Sequence, residues 1–420
     1  MDFAFGFTGD GYIDRALQND WLICNDSVVS PASSNALEDL QLRISLEPIR
    51  DLKIDLTANR TRNRSREIQY MFEGMPDTRS GNFSMSIISI GSAFERPSAG
   101  DGYHSGTFER FRRNLDVIRD RVESQFLGAQ YPQGSILAGK TFDPANGTIS
   151  KHSPDVMIPA FLAAYTGKSA RNSALDFFPS LFSMMPNWRI TYTGLTKIAW
   201  FKKNFRSVNL NHAYRSTYSV GSYNTFQSFM SYMGDIGFVE DVQSGNPIPS
   251  SRFDISMVSI NEQFSPLIGM DATLKNGLTA KVEYKTSRIL NLSMSACQLV
   301  ETASRDFVIG LGYKIVNFNL FSGRNVKDSK NRVSHDLALR ADISFRNQSA
   351  LCRDIQQGFA QATNGNKALK ISCSADYTLS RLLTLRLYYD RQQNTPLVSS
   401  SSYPVVSADF GFSMKFSLTR

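Results

Sequence analysis

Alternation with a period of two constrains this chain more than any other feature. From 406 to 418 the even positions read Val406, Ala408, Phe410, Phe412, Met414, Phe416 and Leu418, with Ser, Asp, Gly, Ser, Lys and Ser between them. Successive side chains of a strand point to opposite faces, so each such run has one apolar and one polar face. Between 333 and 345 the odd positions include Val333, Leu337, Leu339, Ile343 and Phe345, and the even positions around them carry Asp336, Arg340, Asp342 and Arg346. The run 369–379 repeats the pattern. Further strands are expected at 40–46, 52–58, 188–192, 208–218, 268–274, 278–284, 307–313 and 383–389. The run 83–90 changes phase at Ile87-Ile88, which predicts a bulge.

Turn residues then set registers. Lys275-Asn276-Gly277 separates two strands of equal apolar parity. A loop of these residues with Gly277 left-handed puts Met270 opposite Val282 and Asp271 opposite Lys281. Ser380-Arg381-Leu382 does the same for Asp376 and Arg386. All four charges are expected on the polar, lumen-facing side. Each cross-strand pair contributes roughly 0.2–1 kcal/mol, enough to favour one register. The segment 47–51, with Pro48, is a third tight connection, while 67–79, 291–304, 347–366 and 392–403 read as long loops. Short turns at one end and long loops at the other suit an outer-membrane barrel. A soluble β-sandwich alternates in the same way, and parity alone leaves open which face meets water.

The pattern breaks between 92 and 186. Phe108, Phe111, Leu115, Ile118 and Val122 recur at helical spacing, with Gly128 as the expected C-terminal cap. A second short helix is expected at 156–165, after Pro154 and Asp155. The stripe either gates a pore or docks a partner, or it packs the insert on a rim; the spacing leaves both open. Strand parity does not close across this insert. The expected organisation is therefore 1–91 strands, 92–186 a partly helical insert or cap, and 187–420 strands.

The chain has 420 residues and a formal charge of +8. Arg60, Arg62, Arg64 and Arg66 form its one dense basic run, all on one face of an extended segment. A solvated strand end explains them as well as an anionic partner does, and no aromatic interleaving suggests nucleic acid. The four cysteines (Cys24, Cys297, Cys352, Cys373) show no metal-binding spacing, and a Cys297–Cys352 disulfide is left open. The histidines (His104, His152, His212, His335) form no paired motif, and no nucleophile elbow or phosphate-binding glycine loop is present. No catalytic, cofactor-binding or metal-ligating residue is assigned. No stretch reaches the ~18 apolar residues of a membrane helix. Met1 is followed by no recognisable leader, so a barrel reading expects this chain to be part of a longer protein.

Several segments resemble the C-terminal part of the SprA/Sov family, the outer-membrane translocon of the type IX secretion system. The most specific is SINEQFSPLIGMDATLKNGLTAKVEYKTSRILN at 259–291, followed by FVIGLGYKI at 307–315. QNDWL (18–22), LKIDLTANRTRN (52–63), GNFSMS (81–86), LAAYTG (162–167), PNWRITYTGL (186–195) and AYRSTYSVGSY (213–223) occur in family order. Family members are several times longer, and beyond 325 the match weakens. The resemblance implies an all-β fold: a transmembrane antiparallel β-barrel wall, part of a very large barrel, with a partly helical insert. It implies export of folded cargo proteins, a PorV-like outer-membrane barrel as partner, a periplasmic plug protein and contact with outer-membrane lipid. The alternatives are another large transport barrel, such as a nutrient receptor or a lipopolysaccharide exporter, and an outer-membrane hydrolase.

Overall fold

The computed structural model describes residues 11–21, 31–68, 77–95, 97–316, 318, 336–379, 382–398 and 403–416. The turn residues Ser380 and Arg381, together with Cys24, His335 and Leu418, lie outside them. Among the described residues no helix is long and apolar enough to cross a membrane.

A short helix α1 (Gly11–Gln18) precedes the long strands β1 (Ala32–Ile49) and β2 (Leu52–Ile68). Next come β3 (Asp77–Ser86), helices α2 (Gly106–Ser124) and α3 (Pro154–Tyr165), β4 (Asn187–Tyr192), α4 (Ala199–Asn204) and β5 (Phe205–Thr225). A small group follows: β6 (Met230–Met233), β7 (Ile236–Glu240), β8 (Pro247–Ser251) and β9 (Phe253–Ile255). The chain closes with β10 (Met257–Leu274), β11 (Leu278–Ser293), β12 (Gln298–Ile315), β13 (Leu337–Asp354), β14 (Ala360–Thr378), β15 (Leu383–Pro396) and β16 (Val405–Phe416).

Thirteen of the strands make one antiparallel sheet, ordered β1-β2-β3-β5-β10-β11-β12-β13-β14-β15-β16, with β4 between β2 and β5 and with β9 on β5. β6, β7 and β8 form a separate small sheet. Among the described residues β1 and β16 are free edges. Each step along the eleven positions reverses direction, so the two edge strands run the same way.

β3 and β4 share one position in the sheet. β3 pairs with β2 from Arg60 upward and with β5 from Thr217 upward, whereas β4 takes Leu52–Thr57 of β2 and Leu210–Tyr214 of β5. Ser86 and Asn187 meet in mid-sheet, where Asn187 Nδ2 donates to Ser86 Oγ at 3.1 Å. Residues 87–186 are thus an excursion from the middle of a single strand, which is why strand parity does not close when β3 and β4 are counted as separate crossings. No bulge sits at Ile87-Ile88. The Ile87 amide still donates to Ser216 O at 3.1 Å, and the chain then leaves the sheet.

The hairpin registers hold as expected where they are described. Met270 faces Val282, Asp271 faces Lys281 and Asp376 faces Arg386. Gly277 has φ +89°, and its amide donates to Leu274 O. The expected long loops, by contrast, are mostly strand: β11 and β12 are joined by 294–297, and β13 and β14 by 355–359. The long connection between β12 and β13 lies instead at the end that carries the tight turns. Helix α2 is capped by Ser105, whose Oγ accepts from the Phe108 amide at 3.1 Å. It ends at Ser124, short of Gly128, which terminates a further turn with φ +83°.

Candidate functional site

Register decides what each face of the sheet carries. Ala280, Leu311, Ala341, Cys373, Tyr389 and Phe410 stand directly opposite one another across β11–β16. The adjacent row reads Lys281, Gly310, Asp342, Ser372, Asp390 and Asp409. Phe410, Phe412, Met414, Phe416, Ile268, Met270 and Val282 share the first face, as parity predicts. The apolar band on that face is laid bare: Ile268 is 65 % exposed, Ile343 47 % and Phe410 72 %. On β13 it runs from 337 to 345, and the strand then continues to Asp354 with Asn347, Ser349 and Arg353 on the same side.

The opposite face is a trough of mixed charge, with a cleft of ≈ 600 Å³ bordered by Asp271, Lys281, Lys314, Arg340, Asp342 and Asp376. The Arg386 Nε to Asp376 Oδ1 distance is 3.6 Å. Asp271 and Lys281 are in register without an ion contact. Lys281 Nζ goes to Glu283 Oε1 at 3.0 Å, and Asp271 accepts from Asn211 Nδ2 at 3.2 Å. Positions i and i+2 of one strand share a face and need no cross-strand reach. The same spacing gives Arg340–Asp342 at 2.8 Å.

The insert does not enter that trough. It packs on the face of the apolar band, beyond the band's upper end, where Phe83, Met85, Tyr218, Val220, Ile260, Leu290 and Leu299 join its core. Phe108, Phe111, Leu115, Ile118 and Val122 are all buried there, none more than 6 % exposed. The stripe's apolar surface is covered by α3 and the sheet, so the side chains themselves pack inside the insert. Residues 230–251, unassigned in the sequence, complete the same core, with Phe238 against Phe126 at 5.4 Å between ring centroids.

Buried charges seat the insert on the strands. Arg288 donates from Nη2 to Glu262 Oε2 at 2.7 Å and to Ser92 Oγ at 2.8 Å. Glu262 also accepts from Tyr214 and Ser89. Arg353 donates to Glu301 at 3.1 Å and to Tyr103 O at 2.6 Å. A readable signal existed: Glu262, Arg288, Glu301 and Arg353 all fall on the apolar parity of their strands. The basic run is likewise partnered within the fold rather than a solvated strand end, although only Arg62 of it meets the insert. Arg66 is buried against Asp14 and Asp77, Arg60 and Arg64 reach Glu38, and Arg62 lies 4.8 Å from the Phe178 ring centre.

Other sequence candidates are dispersed. Cys297, Cys352 and Cys373 are free thiols. His212 Nδ1 lies 2.6 Å from Leu267 O, packed near Trp188 and Phe264. Within the insert, burial pushes the Asp155 carboxyl above the ordinary carboxylate range, against hydrogen bonds from Ser251 and Ser250. Burial also raises Glu95, but hydrogen bonds from Ser105 and Thr107 outweigh it and hold that carboxyl below its ordinary range.

No known family model matches the chain, and no curated protein does. Among solved structures it is similar to OmpT, an outer membrane protein of Vibrio cholerae in its trimer form. Identity is 10 % over 92 % of this chain and 99 % of that one, with a TM-score of 0.23. A score that low establishes no common architecture.

Proposed function

We propose that this chain is part of the wall of an outer-membrane protein-conducting pore, the translocon of type IX secretion. The membrane part of this reading is carried by the exposed apolar band. Its span on β13, 337–345, compares with the about 9–11 residues a tilted strand needs to cross a bilayer. A continuous apolar surface of this extent is not left facing water in soluble proteins.

In lipid every backbone amide and carbonyl must be paired, so neither β1 nor β16 can remain an edge. The two run the same way, and pairing them with each other would be parallel. A second copy rotated about the membrane normal meets the same obstacle. An antiparallel bacterial barrel, with its even strand number, would then need an odd number of further strands. That supports membership of a larger barrel, as the SprA/Sov resemblance implies. The block at 259–291 is the β10–β11 hairpin and contains both Glu262 and Arg288 of the insert's seat.

Cargo passage is a matter of geometry here. The trough offers alternating charges of both signs and little apolar surface to which a folded protein could adhere, rather than a one-sign filter. A PorV-like barrel, a periplasmic plug and type IX cargo proteins are the partners this reading brings. Loss of the whole protein should abolish secretion of type IX cargo. Cargo that still reaches the medium would rule the translocon out, and partition away from the outer-membrane fraction would rule out the wall.

A further inference from the structure

Two cations stand on the apolar face just above the band with no carboxylate partner among the described residues: Arg305 and Lys367. Arg305, Asn347 and Lys367 are directly opposite one another on β12, β13 and β14. The next row toward the band is Phe307, Phe345 and Leu369, also in register. A polar row with two cations therefore lies immediately above an apolar one.

Residues 93–95 and 97–103 of the insert overhang this row and leave a cleft of ≈ 250 Å³. Arg305 Nη2 donates to Glu95 O at 3.1 Å, which fixes the guanidinium in the cleft wall. Of the two carboxylates there, Glu301 is paired with Arg353, while Glu95 accepts from Ser105 and Thr107 and keeps its negative charge. Lys367 is exposed and has no ion pair among the described residues. The cleft thus carries one net positive charge, Arg305 and Lys367 against Glu95, at the level where a bilayer presents phosphates, and its floor continues into the apolar band.

We propose that this cleft binds the phosphorylated headgroup of a membrane lipid, with the acyl chains lying on Phe307, Phe345 and Leu369. The inference rests on the band facing lipid. Continuity with the band favours a lipid over a free anion, because a soluble phosphate would gain nothing from the apolar row.

The test uses the protein purified from outer membranes in mild detergent, with native mass spectrometry as the readout. The probes are bis-phosphorylated lipid A, its dephosphorylated form and inorganic phosphate. The wild-type protein should retain the phosphorylated lipid about tenfold better than the dephosphorylated one. Arg305→Gln with Lys367→Gln should remove that preference, while Lys281→Gln on the opposite face should leave it intact. Equal retention of the two lipids by the wild type overturns the proposal whether or not the variant folds. So does displacement by inorganic phosphate, which would mark a simple anion site. Quenching of Trp188 and Trp200 fluorescence by brominated acyl chains separates the two levels. Quenching without headgroup preference sinks only the cleft, and no quenching sinks the membrane reading beneath it.

Discussion

Single side chains matter most here where charge is buried. Glu262 and Arg288 are each almost inaccessible and pair with one another and with Ser89, Ser92 and Tyr214. Removing one partner leaves the other charge unpaired in a dry interface, which costs about 3–5 kcal/mol. Glu262→Ala should therefore loosen the stem of the insert, and limited proteolysis within 87–105 should accelerate while the strands stay protected. Unchanged cleavage would mean the pair does not hold the insert down. Asp155 has the opposite sign. Its folded pKa lies above the unfolded one, so the folded state binds the proton more tightly. Stability accordingly declines as pH rises from the ordinary carboxylate value through the raised one. Asp155→Asn should stabilise α3 at neutral pH by on the order of 1 kcal/mol and flatten that slope. Its amide oxygen can still accept from the Ser251 amide. Hydrogen exchange of α3 amides across pH reads the effect directly; a slope that survives the substitution would assign it to another group.

Strands and turns show how parity becomes energy. Met270 and Thr273 are close on β10 yet point to opposite faces, toward the exposed apolar band and toward the polar trough. Lysine at Met270 should cost ~2–4 kcal/mol if that position is deep in the bilayer, and lysine at Thr273 should be nearly neutral. Equal tolerance of the two in a barrel-assembly assay would show that the faces are reversed. At Gly277, φ +89° lies where a side chain is strained, so Gly277→Val should cost on the order of 1–2 kcal/mol and slow formation of the β10–β11 hairpin. The period-two signal made the band-spanning halves of these strands legible, because one face is apolar and the other wet. It lost their upper halves, such as 298–306 and 346–354. There the apolar face is roofed by the insert, and charged residues such as Glu301 and Arg353 replace the aliphatic ones. The strands therefore continue well past the point where the alternation stops.

At the scale of the whole molecule, the insert is an interruption in one strand. Alternation is preserved if Ile87 is joined to Asn187: Met85 and Ile87 would share the apolar face with Trp188, and Ser86 would share the other with Asn187. A protein lacking 88–186 should still fill the position between β2 and β5 and assemble with heat-modifiable mobility. It would bare Tyr218, Val220, Ile260 and Leu290, so greater aggregation in detergent is expected. A deletion that blocks assembly outright would make the insert part of the folding nucleus instead. Normal cargo secretion, partner capture and antibiotic permeability after the deletion would leave the insert a packing element only. The two faces of the sheet, the hairpin registers and the helices of the insert follow from local spacing, since side-chain direction and turn chemistry act between near neighbours. The end-to-end alignment of β3 and β4 in one sheet position across a hundred-residue gap, the side of the sheet on which the insert rests, and the salt bridges that hold it there belong to the tertiary structure. They depend on contacts between residues far apart in the chain, whose buried charges and aromatic rings find partners only once the strands have aligned.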